Sequence, residues 1–110
     1  MAWYLVQASY APEQIKAITA NPQDRSAPVK ALVEAMGGKL HHFFFCFGDY
    51  DIVALMEGTG NVAAAAGALA VGSAGTTMAF KTTPLLTMDE AVEAMKMAGT
   101  LLGTYKAPAG

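Results

Sequence analysis

The chain has 110 residues, more than half of them apolar and 15% charged, with a formal net charge of −2. That length suits one domain, and the charge gives no electrostatic reason to expect a nucleic-acid or anionic-membrane partner. The single cysteine, Cys46, rules out an intrachain disulfide and with it a secreted disulfide scaffold. "MAWYLVQASYAPEQIK" lacks the basic start and long apolar core of a signal peptide, so a cytoplasmic setting is the default expectation.

Residues 2–10, "AWYLVQASY", read as a strand that Pro12 ends. "APEQIKAI" suits a short helix, and "NPQDRSAP" a loop or a break between two helical pieces. Ser26 is a candidate cap for the next helix, with Pro28 in its first turn, and Val29, Leu32, Val33 and Met36 follow the helical period up to Gly37 and Gly38. "KLHHFFFCF", residues 39–47, is a second strand, "GDYD" a turn, and "DIVALMEG", residues 51–58, a third strand; so short a link makes a hairpin.

"NVAAAAGALAVGS" is a helix of small residues with Asn61 as its cap, able to lie close to a sheet. The stretch from Gly58 to Phe80 carries no charge and is long enough to cross a membrane, but glycines and the turn "GSAGTT" interrupt it, so no membrane span is expected. "GTTMAFKTTPLL" holds the fourth strand. Thr87-Met88-Asp89-Glu90 forms a capping box that opens a last helix, with Met88, Ala91, Val92, Met95 and Leu102 near one stripe, and residues 105–110 form a flexible tail.

The order β-α-β-β-α-β plus one helix predicts an α+β, ferredoxin-like domain over residues 1–104, with a four-stranded antiparallel sheet. Strict alternation puts Leu40, His42, Phe44 and Cys46 on one face and His41, Phe43, Phe45 and Phe47 on the other. Ile52, Ala54 and Met56 likewise oppose Val53 and Leu55. Both faces of the hairpin are apolar, and one helical layer covers one face. The other face calls for a cover, and self-association through the sheet supplies it, in a homodimer or a higher oligomer. The last helix is a competing cover.

Around "FGDYDIVALMEG" and over most of the chain the sequence resembles the GYD-domain family of small bacterial proteins. "MGGKL", the aromatic strand ending in Gly48-Asp49-Tyr50-Asp51, the Ala-rich helix ending in Gly-Ser, and "TTMAFKTTPLLTMDEA" carry the resemblance in order. It implies a ferredoxin-like fold of the kind that pairs into dimeric α/β barrels, and no common activity. The Gly-Asp-Tyr-Asp turn before an apolar strand is also similar, more weakly, to the effector-binding domains of leucine-responsive regulators, which bind metabolites between subunits; some small monooxygenases likewise use paired ferredoxin-like sheets.

Gly48, Asp49, Tyr50 and Asp51 have a simple reading as turn chemistry, glycine taking the strained dihedral and the aspartates bonding backbone N–H groups, and a functional one as a loop lining a ligand site. No metal site is expected. His42 and Cys46 are roughly 13 Å apart along the strand, and His41 and His42 point to opposite faces. Cys46 among phenylalanines reads as an inert thiol. The three methionines Met88, Met95 and Met97 read as helix packing. Neither "GTGN" nor "GSAGTT" has the ending of a phosphate loop.

Gln7, Ser9 and Lys81 interrupt strands; with Trp3 and Leu5 on the outer face, a partner would close a cavity with a few polar handles. The simpler account puts Lys81 at a wet edge and has Gln7 bond backbone. The ligand-binding candidates are therefore Trp3, Gln7, His42, Tyr50 and Lys81, with no cofactor implied. The functional expectation is a small-molecule-binding module in a regulatory or sensing role. The rivals are a cofactor-free or haem-type oxygenase and a purely structural assembly unit.

Overall fold

The computed structural model describes residues 1–109. Eight elements follow in the order β1 (Ala2–Tyr10), α1 (Pro12–Ala20), α2 (Ser26–Ala35), β2 (Lys39–Phe45), β3 (Ile52–Gly58), α3 (Asn61–Ser73), β4 (Thr77–Leu85) and α4 (Met88–Leu101). The strands form one antiparallel sheet in the order β2-β3-β1-β4. This is the α+β ferredoxin-like arrangement, with the first helical layer split into α1 and α2 and with α4 appended. Pro84 fits because β4 is an edge strand and one side of it needs no donor.

The core lies between the sheet and the helices α2 and α3. Tyr4, Val6, Ala54 and Met56 from the central strands meet Val33 of α2 and Ala64 of α3. Small residues let α3 come close: a Cβ on Gly67 would stand 2.5 Å from the Met36 sulfur. Burying an aromatic hydroxyl requires a partner. The Tyr4 hydroxyl donates to Asn61 Oδ1 at 2.7 Å. Asn61 thus ties α3 to β1 and is not the helix cap expected of it; Gly60 holds that position at a φ of 142°. Ser26 is likewise the first helical residue and not the cap of α2, and its N–H donates to Asp24 Oδ1 at 2.8 Å.

The capping box of α4 is present as read. The Thr87 N–H donates to Glu90 Oε1 at 2.9 Å, and the Glu90 N–H to Thr87 Oγ1 at 3.2 Å. Beyond its cap α4 is nearly free of the rest of the fold: every residue is exposed except half-buried Ala91. It does not cover the outer face of the sheet, so the competing expectation for that helix fails. Among the described residues no helix is long and apolar enough to cross a membrane.

Candidate functional site

Register fixes which side chains share the outer face. Tyr4, Val6 and Ala8 are buried under the helices, so Trp3, Leu5, Gln7 and Ser9 turn away from them. Their partners extend the face: Glu57, Leu55 and Val53 on β3, and Leu85, Thr83, Lys81 and Ala79 on β4. Gln7 lies directly opposite Lys81.

β2 departs from strict alternation. A bulge falls between Leu40 and His42, so Leu40 pairs with Met56 while His42 pairs with Leu55 and Phe44 with Val53. One extra residue turns the rest of the strand over. Leu40, Phe43 and Phe45 therefore share the helix side, and His42 and Phe44 the outer side, with their rings stacked at a centroid distance of 5.9 Å. His41 joins them there: its Nε2 lies 2.8 Å from Glu57 Oε1 and its ring 4.5 Å from that of Trp3. The expected grouping of Leu40 with His42 and Phe44 is thus corrected, as is the expected divergence of the two histidines. The hairpin is apolar on both sides nonetheless.

Trp3, Gln7, His42 and Lys81 share the outer face, while Tyr50 belongs to the loop at one end of the sheet. In that loop Gly48 takes a φ of 149°, which a side chain would disfavour. Asp51 Oδ2 accepts the Tyr10 N–H at 2.8 Å, and the Ser9 hydroxyl donates to the Asp49 carbonyl at 3.1 Å. The loop is therefore stitched to the end of β1. Cys46 donates its thiol to the Tyr50 carbonyl at 3.2 Å. Among the described residues no three His, Cys, Asp or Glu side chains converge as metal ligands do.

A second feature lies on the opposite side, inside the helical layer. A cleft of about 210 Å³ separates α2 from α3 over the sheet. Its floor is Val6, Ala8, Ala54, Met56 and Phe80, and its walls include Leu32, Met36, Gly67 and Ala68. Tyr10, Arg25, Thr76 and Thr77 line it too, and they cluster at one end. Tyr10 pairs with Thr77, and the Ala11 N–H reaches the Thr76 carbonyl at 2.9 Å. Arg25 stands beside the Tyr10 ring. Burial raises the phenol above its ordinary pKa, the guanidinium of Arg25 works against that, and Asp51 adds to it. Tyr10 and Arg25 carry no motif, and only the fold brings the loop before α2 onto the end of β1.

An antiparallel β2-β3-β1-β4 sheet with helices on one side and a largely apolar face on the other defines an α+β protein of the ferredoxin-like kind. Within that class a family model narrows the assignment: the model of the GYD domain matches residues 4–95, and the chain belongs to the GYD domain family. Comparison with curated proteins and with solved structures gives no match.

Proposed function

We propose that this GYD-domain chain is a self-associating small-molecule-binding protein in a regulatory or sensing role, the ligand lying between the outer sheet face and a second copy. One observation carries the reading. Trp3, Leu5, Val53, Leu55 and Leu85, each half-buried, lie together with exposed Phe44 on a face that no helix of the chain covers. Gln7 and Lys81 on one side and the Trp3–His41–Glu57 cluster on the other supply the few polar groups by which such sites orient a ligand.

The area argues that more than the sheet takes part. Four strands about 4.8 Å apart, paired over about seven residues, give a footprint of about 440 Å². A standard interface covers about 800 Å² per partner. The exposed stripe of Met88, Val92 and Met95 on α4 is the other apolar surface a copy can cover.

Solution mass is the test. The chain is expected to exceed monomer mass at micromolar concentration, Leu55→Glu to reduce it to a monomer, and removal of residues 87–110 to weaken association. A wild-type monomer would refute the assembly, and a thermal-shift screen that finds no ligand for an intact oligomer would leave an assembly unit in its place. The oxygenase reading holds an aromatic substrate in the apolar pocket that the same pairing of sheets would enclose. Oxygen uptake with aromatic substrates tests the cofactor-free form.

A further inference from the structure

The cleft under α2 and α3 is divided along its length. Toward Met36, Met56, Ala64 and Gly67 the lining is wholly apolar. At the other end stand the hydroxyls of Tyr10, Thr76 and Thr77 and the guanidinium of Arg25, the sole charged group of the lining. No carboxylate faces the space. Asp24 is turned to the Ser26 N–H and Asp51 to the Tyr10 N–H. Arg25 itself donates to the neutral amide oxygen of Gln23 at 3.1 Å, bonds the Tyr10 side chain and, among the described residues, forms no ion pair. A guanidinium has five N–H donors in a planar fork that matches a carboxylate, and most of these are unengaged.

Size narrows the ligand further. Apolar cavities of about 150 Å³ take up benzene, so about 210 Å³ admits a single ring or a medium alkyl chain with a small polar head. A phosphate dianion would bring more charge than one arginine answers, and a polar ligand would leave its groups unpaired against Val6, Ala54 and Met56. We propose that this cleft binds a small apolar monocarboxylate, its carboxylate held by Arg25 and the Tyr10 hydroxyl and its hydrocarbon part directed toward Met36 and Met56. Burial keeps Tyr10 protonated and so able to donate. The cleft belongs wholly to one protomer, so this site stands apart from the one between sheets.

Calorimetric titration of the full chain with octanoate and with 1-octanol tests it. Octanoate binds, and binds more tightly than the alcohol. Arg25→Gln, at an exposed position, weakens octanoate by about tenfold or more and leaves octanol unchanged. Ala68→Phe, which fills the cleft, abolishes both, and Leu55→Glu leaves both intact. The proposal falls if octanoate does not bind the wild type, if acid and alcohol bind alike, if Arg25→Gln leaves octanoate unchanged, or if the Leu55→Glu variant loses it. Each of those outcomes is readable whether or not the chain self-associates.

Discussion

A methyl group added at Gly38 meets backbone, whereas one added at Gly67 meets a side chain, and the difference decides what each substitution does. At Gly38 the new carbon would overlap the Glu57 carbonyl oxygen and lie 3.3 Å from the Val33 carbonyl. Both belong to elements that cannot yield without moving β3 or α2. Gly38→Ala is therefore expected to cost about 2 kcal/mol and lower the thermal midpoint by roughly 10 °C. At Gly67 the obstacle is the end of the flexible Met36 side chain, 2.5 and 2.8 Å away at its sulfur and methyl. Met36 can swing aside, and alanine gains about 1 kcal/mol of helix propensity over glycine. Gly67→Ala is thus expected to leave the midpoint nearly unchanged while narrowing the cleft, which calorimetry with octanoate would register as weaker binding. Tyr10 adds a pH dependence. Its folded pKa is raised above the ordinary 10.0, chiefly by burial, so the folded state holds the proton where the unfolded chain has begun to release it. That contribution is complete below pH 10 and is lost as pH rises through the folded value. Denaturant unfolding followed across that range should show a steeper alkaline decline for the wild type than for Tyr10→Phe.

The capping box of α4 reports on a helix with little else to hold it. Short helices are marginal in water without a packed face, and α4 buries none of its residues. Thr87→Ala is expected to speed amide exchange severalfold within α4 and to leave the sheet's protection alone. Hydrogen bonds from the Thr87 backbone and side chain hold the Glu90 carboxyl below its ordinary pKa, so its support of the helix is present above the ordinary glutamate range and fades as pH falls through the lowered one. That box was legible in the sequence because its four residues are contiguous and its chemistry is local. So were β1, the hairpin and the stop at Gly37-Gly38, for the same reason. The bulge in β2 was not: a one-residue slip leaves composition and length untouched, and only pairing with β3 reveals that Leu40 and His42 lie on opposite sides. The role of Asn61 was not legible either, because a residue that suits a cap equally suits the buried hydroxyl of Tyr4, 57 positions away in the chain. The cleft is a matter of spacing between α2 and α3, and no residue pattern announces a gap. Trp3, Gln7 and Lys81 could be grouped on one face by alternation alone, whereas His41 reached them through the bulge.

By two measures of shape the molecule is extended. A compact chain of this length has a radius of gyration of about 13 Å, and this one has 17.8 Å with a longest extent of 59 Å. The excess comes from α4 standing off the body. The same fold leaves Trp3 half-buried on a bare sheet face. If copies pair as proposed, mass action makes the chain more stable as its concentration rises. The thermal midpoint of the wild type is expected to rise with protein concentration, and that of Leu55→Glu to stay constant. Trp3 makes the same event visible at the face where it happens, because the chain has one tryptophan. If copies pair through the outer sheet, dilution moves that indole from an apolar setting into water, and its emission shifts to longer wavelength over the range in which mass falls. A variant lacking residues 87–110 should show the shift at higher concentration, since it loses the apolar stripe of α4 and keeps the sheet. Emission that stays constant while mass changes would place the contact elsewhere, on α4 alone, and would remove the outer face from the interface.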